Sequence, residues 1–285
     1  MGNDFIAKTM AETTRAIERS IFASTFARKN GFLQHLDPRV KLAGVLCLLI
    51  ITGLSATVEI LAMLYLMTLL LAVASRVPLG FFMKRVWIFI PLFTAMIVLP
   101  SVFNVVTPGR PLFTVITFSS PHSFGPFNIP KTITVTVQGV MGASILVLRV
   151  ATSVSLAVLL VLTTEWIRLL KAMSVLRVPE MVILVLAMTY RYIHLFLRMV
   201  EAMLLARKSR QIGDSSVKEA HGWIASRLGV LVGKSYSLSS EVHLAMLSRG
   251  WSGNPRLMED FSFGRLDWLW AAFTMGIVIL WITFR

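Results

Sequence analysis

The sequence predicts an all-α integral membrane protein with about five transmembrane helices and a cytoplasmic helical domain. Of the 285 residues, 56% are hydrophobic and 15% are charged, and the mean hydropathy is +0.75. A soluble core of this size needs far less apolar surface. The apolar residues are also gathered in runs of roughly the length that a bilayer requires, and basic residues flank those runs.

The charge balance is strongly basic, with 28 Lys and Arg residues against 14 Asp and Glu residues and a formal net charge of +14. Such a balance can indicate nucleic-acid binding, but here the basic residues lie beside apolar spans, as the positive-inside rule expects. We therefore expect the lipid bilayer as a partner and no nucleic acid. The single cysteine, Cys47, lies in an apolar run and cannot form an intramolecular disulfide.

The N-terminal segment, residues 1–36, carries both charge signs among apolar residues at helical spacing. This pattern indicates an amphipathic interfacial helix at the cytoplasmic surface, with a solvated tail as the alternative. Asp37 and Pro38 then form a helix-start signal. An aspartate accepts hydrogen bonds from the free amides of the first turn, and proline lacks the N–H that the first helical position leaves unpaired. A membrane span follows at once, preceded by Arg39.

Four spans are predicted within residues 37–164. The turn between the first two has no Lys or Arg, whereas Arg39 precedes the first span and Arg76, Lys84 and Arg85 follow the second. The N-terminus is therefore expected on the cytoplasmic side. The third span contains two prolines, which imply kinks. The four spans cover about residues 41–55, 60–74, 86–106 and 140–163.

Residues 107–136 are rich in Pro, Gly, Ser, Thr and Phe, which is typical of a long external loop or a partly re-entrant segment. The alternating Thr and Val residues at 132–137 weakly indicate a short extended piece. Arg149 lies within the fourth apolar span, where a charge is costly. It either makes a polar contact that fixes a neighbouring helix or lines a pathway, or it is an internally paired or snorkelling residue of structural importance only.

Residues 165–264 change character and are predicted to form cytoplasmic amphipathic helices. The first covers residues 165–176, and a long helix then runs from Pro179 to about residue 212. A third amphipathic stretch covers residues 217–248, where Gly229 and Gly233 are expected to allow a division into two helices. The last span, within residues 265–285, returns the C-terminus to the outside.

Two near-copies of one tripeptide follow the two longest amphipathic stretches: Ser209-Arg210-Gln211 and Ser248-Arg249-Gly250. Helix-breaking residues come directly after each copy, so an arginine is presented near the end of each of two helices. Arginine offers a rigid fork of donors that can hold a carboxylate by two-point contact. The alternative is that both arginines only complement the negative end of the helix dipole.

The sequence carries no pattern of catalytic residues. There is no phosphate-binding loop and no nucleophile–base pair, and the five histidines are scattered singly. We expect no enzyme activity, no cofactor and no metal site in this chain. A self-contained secondary transporter would show inverted repeats or polar pairs at mid-membrane depth, and neither pattern is present.

Six short motifs, in series from about residue 33 to 252, resemble the transmembrane T component of energy-coupling factor (ECF) transporters, the CbiQ/EcfT family. The residues of these motifs resemble those of the cobalt and nickel branch of the family, and the vitamin branch is the alternative. The motifs are Leu36-Asp37-Pro38-Arg39-Val40-Lys41-Leu42, Thr163-Thr164, Leu176-Arg177-Val178-Pro179, Tyr190-Arg191-Tyr192, Ala206-Arg207-Lys208-Ser209-Arg210 and Ala245-Met246-Leu247-Ser248-Arg249-Gly250.

The resemblance implies an L-shaped helical scaffold in the cell membrane of a prokaryote. Such a scaffold joins a substrate-binding membrane subunit to two cytoplasmic ATP-binding-cassette (ABC) ATPase subunits, and these partners bind the ATP and Mg²⁺. It also implies that Arg210 and Arg249 are the arginines of two ATPase-coupling motifs. The first motif has Ser-Arg-Gln where the family often has Ala-Arg-Gly. The residues implied in structure or partner contact are Asp37, Pro38, Arg39, Arg149, Pro179 and Arg191.

Overall fold

Helices make up nearly all of the described chain, which confirms the predicted all-α class. The computed structural model describes residues 31–88, 90–104, 107, 109–117, 122–124, 127–129, 132–211, 216–252 and 263–283. The predicted N-terminal segment lies outside these residues except for its last six positions. The helices are α1 (Pro38–Leu54), α2 (Val58–Ala74), α3 (Leu79–Trp87), α4 (Ile90–Val98), α5 (Val137–Thr163), α6 (Trp166–Ala172), α7 (Glu180–Arg210), α8 (Val217–Ser248) and α9 (Arg265–Thr283).

The described residues fall into two units. The bundle unit contains α1 to α5 and α9, and the paired-helix unit contains α6 to α8. By length and composition, α5, α7 and α9 are each able to cross a membrane. The helix α2 is equally apolar but shorter. Three candidate membrane-spanning helices in a chain this apolar identify an integral membrane protein.

The predicted third span is two helices in the structure, α3 and α4, with a 3₁₀ turn at Leu99–Val102 after them. Both prolines of this region lie at the start of an element. Pro91 is the second residue of α4, and Pro100 is the second residue of the 3₁₀ turn. A proline is tolerated there because the first amides of a helix have no partner within that helix. Leu79–Trp87 and Ile90–Val102 meet at a bend of 41° and together are long and apolar enough for one broken span. The expected kink is therefore present, but it lies at the break between α3 and α4, and the prolines begin the elements that follow.

The predicted loop at residues 107–136 contains two antiparallel hairpins. Strand β1 (Pro111–Thr117) pairs with β4 (Thr132–Thr136), and β2 (His122–Phe124) pairs with β3 (Phe127–Ile129). The weakly indicated extended piece is thus a strand. Its last residue, Thr136, caps α5, because its hydroxyl accepts from the amide of Gly139 at 3.1 Å.

The helix α5 lies at the centre of the bundle unit and contacts α1, α2, α3 and α4, while α9 packs on the other side against α1. The core between them is formed by aliphatic residues together with Phe82 and Trp270, which is 1% exposed. Its indole lies directly against Gly44 of α1, in space that a Cβ atom would need. The glycine therefore allows α1 and α9 to approach closely.

The start of α1 holds a cluster of buried polar groups that we call the polar junction: Asp37, Lys41, Thr163, Thr164 and Asp267. The ammonium group of Lys41 is buried and donates to the Thr163 carbonyl at 3.0 Å, to the Thr163 hydroxyl at 3.3 Å and to the Thr164 hydroxyl at 2.8 Å. The amide of Asp37 donates to the Asp267 carboxylate at 2.7 Å. The polar junction thus ties the start of α1 to the end of α5 and the start of α9.

The other end of α1 is tied to the same two helices. The guanidinium group of Arg149 in α5 donates to the backbone carbonyl of Ser55 at 2.7 Å. The indole N–H of Trp281 in α9 donates to the Ser55 hydroxyl at 3.0 Å. Arg149 is thus internally paired and ties α5 to α1 of the same chain, which is the structural alternative. A contact of Arg149 with a partner helix or with a pathway stays a prediction.

We predict that Lys41→Met lowers the free energy of unfolding of the purified protein by about 1–3 kcal/mol, because methionine keeps the length of the side chain and leaves the three buried acceptors without their donor. The measurement is thermal unfolding in detergent or nanodiscs. Lys84→Met, at an exposed lysine of α3, is the control and should change the stability by less than about 0.5 kcal/mol. Equal unfolding temperatures for the two variants would contradict a structural role of the polar junction.

Candidate coupling site at two helix ends

The paired-helix unit starts with two short elements, α6 and a 3₁₀ turn at Met173–Leu176. Arg177 ends that turn in the left-handed region at φ 57°, and Pro179 is the N-cap of α7. The sequence had suggested that Pro179 is the first residue of this helix. In the structure it lies one position before the helix. Farther along α7, Tyr190 stacks edge-on with His194, with 4.8 Å between the ring centroids, while the neighbouring Arg191 is exposed.

The helix α8 begins with a capping box that the sequence analysis missed, although its Ser-x-x-Glu signal is present. The amide of Ser216 donates to the Glu219 carboxylate at 3.0 Å, and the amide of Glu219 donates to the Ser216 hydroxyl at 3.2 Å. The helix then continues without interruption to Ser248. The expected break at Gly229 and Gly233 was wrong, because a glycine lowers helix stability by only about 1 kcal/mol and does not remove a backbone hydrogen bond.

The two serine–arginine motifs have the same local structure at the ends of α7 and α8. The hydroxyl of Ser209 donates to the carbonyl of Ala206 at 3.0 Å, and the hydroxyl of Ser248 donates to that of Ala245 at 3.0 Å. Both serines thus bond to the preceding turn of their own helix. The next residue is the arginine in each case, Arg210 and Arg249, and both are exposed.

The exits from the two helices differ. After α8, Gly250 takes φ 77°, its amide donates to the carbonyl of Leu247, and the amide of Trp251 donates to that of Met246. This is the Schellman arrangement, in which glycine accepts the left-handed backbone. After α7, Gln211 is extended at φ −84° and ψ 120°. The Ser-Arg-Gln motif therefore ends its helix with a different backbone conformation from Ser-Arg-Gly. The helix-breaking residues expected at 213–214 and 253–255 lie outside the described residues.

Few side chains of α7 and α8 are buried by the chain itself. In α7 only Ile183 and Leu204 are buried, and no described side chain of α8 is. Large apolar residues are exposed on both helices, including Val185 at 59% and Val232 at 70%. An apolar surface of this extent on a folded chain marks an interaction site with a partner or with lipid.

Two grooves lie between α7 and α8. The first, which we call the apolar groove, has a volume of about 520 Å³ and is lined by residues of the first half of α7 and the second half of α8, including Met181, Met188 and Met246. Trp251 lies at its end and packs edge-on against His243, with 6.1 Å between the ring centroids. The groove thus reaches the serine–arginine end of α8.

The second groove, which we call the basic groove, has a volume of about 470 Å³ and reaches the serine–arginine end of α7. Arg210 itself lines it, and the other charged residues of the lining are Arg207, Arg227 and Glu219. Trp223 lies beside these charged residues in the lining. The two helix ends therefore have different surroundings, one apolar and one basic.

The remaining predicted contact residues lie elsewhere. Asp37, Pro38 and Arg39 form the first turn of α1, where the Asp37 carboxylate accepts from the Arg39 amide at 2.8 Å. Arg149 lies in α5, as described above. Within the described part of the chain, no group of three or more His, Cys, Asp or Glu residues is arranged to hold a metal ion.

Fold and site together define a class of protein: a helical membrane protein whose described surface presents two arginine-tipped helix ends. The chain belongs to the cobalt transport protein family CbiQ, whose family model matches residues 29–259. This family is the transmembrane component of ECF-type transporters and is not a catalytic family. The chain is therefore a component of a transport system.

Two similar proteins come from the archaeon Methanocaldococcus jannaschii. The uncharacterized protein MJ1571 is 34% identical over 253 residues, which are 89% of this chain and 82% of that protein. The uncharacterized protein MJ1089 is 24% identical over 251 residues, which are 87% of this chain and 88% of that protein. Both similarities extend over most of the chain.

Proposed function

We propose that this chain is the coupling subunit of an ATP-driven importer of the ECF type and that Arg210 and Arg249 each dock onto one of two cytoplasmic ABC ATPase subunits. The observation that carries the proposal is the repeated helix end, in which a serine bonded to its own helix precedes an exposed arginine. ATP and Mg²⁺ bind to the ATPases, and this chain transmits their motion.

The chemistry of arginine suits such a contact. Its planar guanidinium group can hold a carboxylate by two parallel hydrogen bonds, and the small residues Ser209, Ser248 and Gly250 let each helix end enter a groove of a partner. Long helices transmit displacement because their backbone hydrogen bonds make them stiff along the axis. A rigid arm with a two-point contact at its tip can therefore pass motion between subunits.

We predict that Arg210→Ala and Arg249→Ala each weaken ATPase binding by about 2–5 kcal/mol, because the partner carboxylate is left partly buried and unpaired. Substitution by lysine should restore little, since an ammonium group cannot make the two-point contact. The double variant should lose more than either single variant. The measurements are ATP-dependent uptake and recovery of the complex, with the membrane level of the chain checked in parallel.

Lys218→Ala is the matched control for both arginines, because this exposed cation lies in α8 and lines neither groove. It should retain normal uptake. Normal uptake and normal complex recovery in the Arg210→Ala and Arg249→Ala double variant would refute the coupling role. Both arginines would then be residues that complement the helix dipole.

We propose further that the apolar groove receives a substrate-binding membrane subunit. The methionines of its wall can repack at little energetic cost, which suits a surface that changes its contacts during transport. The family description favours cobalt, or the related nickel ion, as the transported substrate over a vitamin. In this proposal the substrate-binding membrane subunit selects the ion.

The proposed location is the cell membrane of a prokaryote, crossed several times, with the N-terminus and residues 165–260 in the cytoplasm and the C-terminus outside. Basic residues at both ends of the first helix pair support this orientation. The helix α7 is long and apolar enough to cross the membrane. Its crossing would reverse the side of α8, so labelling of α8 distinguishes the two topologies.

We predict that a cysteine introduced at exposed Leu112 in β1 reacts with an impermeant maleimide in intact cells, whereas one at exposed Lys234 in α8 reacts only after permeabilisation. Cys47 is first replaced by alanine, because it is the only native cysteine and is exposed. Labelling of the Lys234→Cys variant in intact cells would contradict a cytoplasmic α8.

A further inference from the structure

Arg207 and Arg227 both lie over the ring of Trp223 in the basic groove. The guanidinium carbon of Arg207 lies 4.7 Å from the centroid of the Trp223 ring, and that of Arg227 lies 5.5 Å from the same centroid. Both distances are within the range of cation–π attraction. One indole therefore holds two arginines, one from the end of α7 and one from the first half of α8, at the wall of one groove.

Arginines outnumber carboxylates among the described residues that line the basic groove. The arginines are Arg207, Arg210 and Arg227, and the carboxylate is that of Glu219. This carboxylate already accepts the Ser216 amide in the capping box of α8. Nη1 of Arg207 is also buried and has no hydrogen-bond partner among the described residues. A buried donor without an acceptor, beside like charges, indicates that an anionic group from elsewhere completes the site.

The helix dipole accounts for only part of this cluster. Arg207 and Arg210 lie in the last turn of α7, where cations are favoured by the negative end of the helix. Arg227, in contrast, lies about three turns into α8, beyond the reach of either end of that helix. Its stacking on Trp223 places a third cation toward the same groove, although the side chain is exposed and could extend into solvent.

We propose that Arg207 and Arg227 form a second contact for acidic side chains beside Arg210, so that the end of α7 binds a pair of carboxylates on its ATPase subunit. The inference rests on the proposed function, because the occupant is the partner that docks on Arg210. That arginine lines the same groove, so a partner carboxylate at Arg210 brings neighbouring side chains of the same partner over Arg207 and Arg227.

The two arms then recognise their partners by different chemistry. The end of α7 presents three arginines to its ATPase subunit, whereas the end of α8 presents Arg249 alone, beside an apolar groove whose lining residues include His243 but no Lys, Arg, Asp or Glu among the described residues. Charge pairs at a wet interface are screened by salt, whereas apolar contacts are not. Binding through the α7 end should therefore be the more salt-sensitive of the two.

The test is the affinity of the nanodisc-reconstituted full chain for its ATPase subunits over a range of salt concentrations. Arg227→Gln should weaken binding about five- to tenfold at low salt and flatten the salt dependence. Because Arg227 is exposed, its replacement should not disturb the fold. Arg207→Lys keeps the charge but loses the planar group that stacks on Trp223, and should show a similar loss.

Lys218→Gln is the matched control, since this exposed lysine lies nine residues before Arg227 and thus on about the opposite face of α8. It removes the same charge and should leave the affinity and its salt dependence unchanged. A loss equal to that of Arg227→Gln would assign the effect to net charge and overturn the inference.

The outcome also separates this inference from the coupling role. If Arg210→Ala and Arg249→Ala weaken ATPase binding while Arg227→Gln does not, the second contact is refuted and the coupling role stands. If none of the three variants weakens binding, both proposals fail. Loss of bound anionic phospholipid in Arg227→Gln, seen by native mass spectrometry with normal ATPase binding, would assign the basic groove to lipid headgroups instead.

Discussion

A buried lysine ties the start of α1 to the end of α5 in the bundle unit. Lys41 is 1% exposed, and its ammonium group is held by oxygens of Thr163 and Thr164 at the end of α5. Such a charge is costly to bury, so it remains only where acceptors surround it. Four residues earlier in the helix-start motif, the backbone amide of Asp37 donates to Asp267 and adds the start of α9 to this junction. Small changes in the register of these helices would leave the ammonium group without its acceptors.

The opposite end of α1 is fixed by Ser55, which accepts hydrogen bonds from Arg149 of α5 and Trp281 of α9. The helix α1 is therefore held at both ends by the same two neighbours. Between those ends the packing is apolar and close, with Trp270 against Gly44. Hydrogen bonds set the register of these helices, and apolar contacts fill the space between them.

The paired-helix unit is different, because α7 and α8 bury almost none of their own side chains. Their exposed apolar residues mark a surface that contacts lipid or a partner.

Much of the fold could be predicted because long apolar or amphipathic runs have clear ends. The predicted stretch at 217–248 matches α8, and the predicted long helix at about 179–212 differs from α7 by one or two residues at each end. Of the strands at 111–136, only β4 had a local signal, the alternation of Thr and Val, because pairing between distant segments decides a strand. The prolines of the third span predicted a bend, but the position of the break could not be predicted, since a proline can either kink a helix or begin one.

The arginines at the two helix ends could be predicted from the sequence, whereas the residues that line the basic groove could not. A repeated Ser-Arg pair before breakers is visible in the sequence, and both arginines do lie at helix ends. The basic groove depends on Arg207 of α7 reaching Trp223 of α8, a contact between two helices that no local pattern reveals. The burial of Lys41 could not be predicted either, because the position of a charge in a sequence does not report burial. Its short distance to Thr163 exists only in the folded bundle unit.

The central claim is that the two arginine-tipped ends contact separate ATPase subunits while the apolar groove contacts a membrane subunit. The most direct measurement is photo-crosslinking from a genetically encoded benzophenone side chain at positions 210, 249 and 188 of the assembled transporter in native membranes, with the products identified by mass spectrometry. The account predicts that positions 210 and 249 crosslink to ATPase subunits and that position 188 crosslinks to the substrate-binding membrane subunit. Crosslinks from positions 210 and 249 only to lipid, or only within this chain, would contradict it.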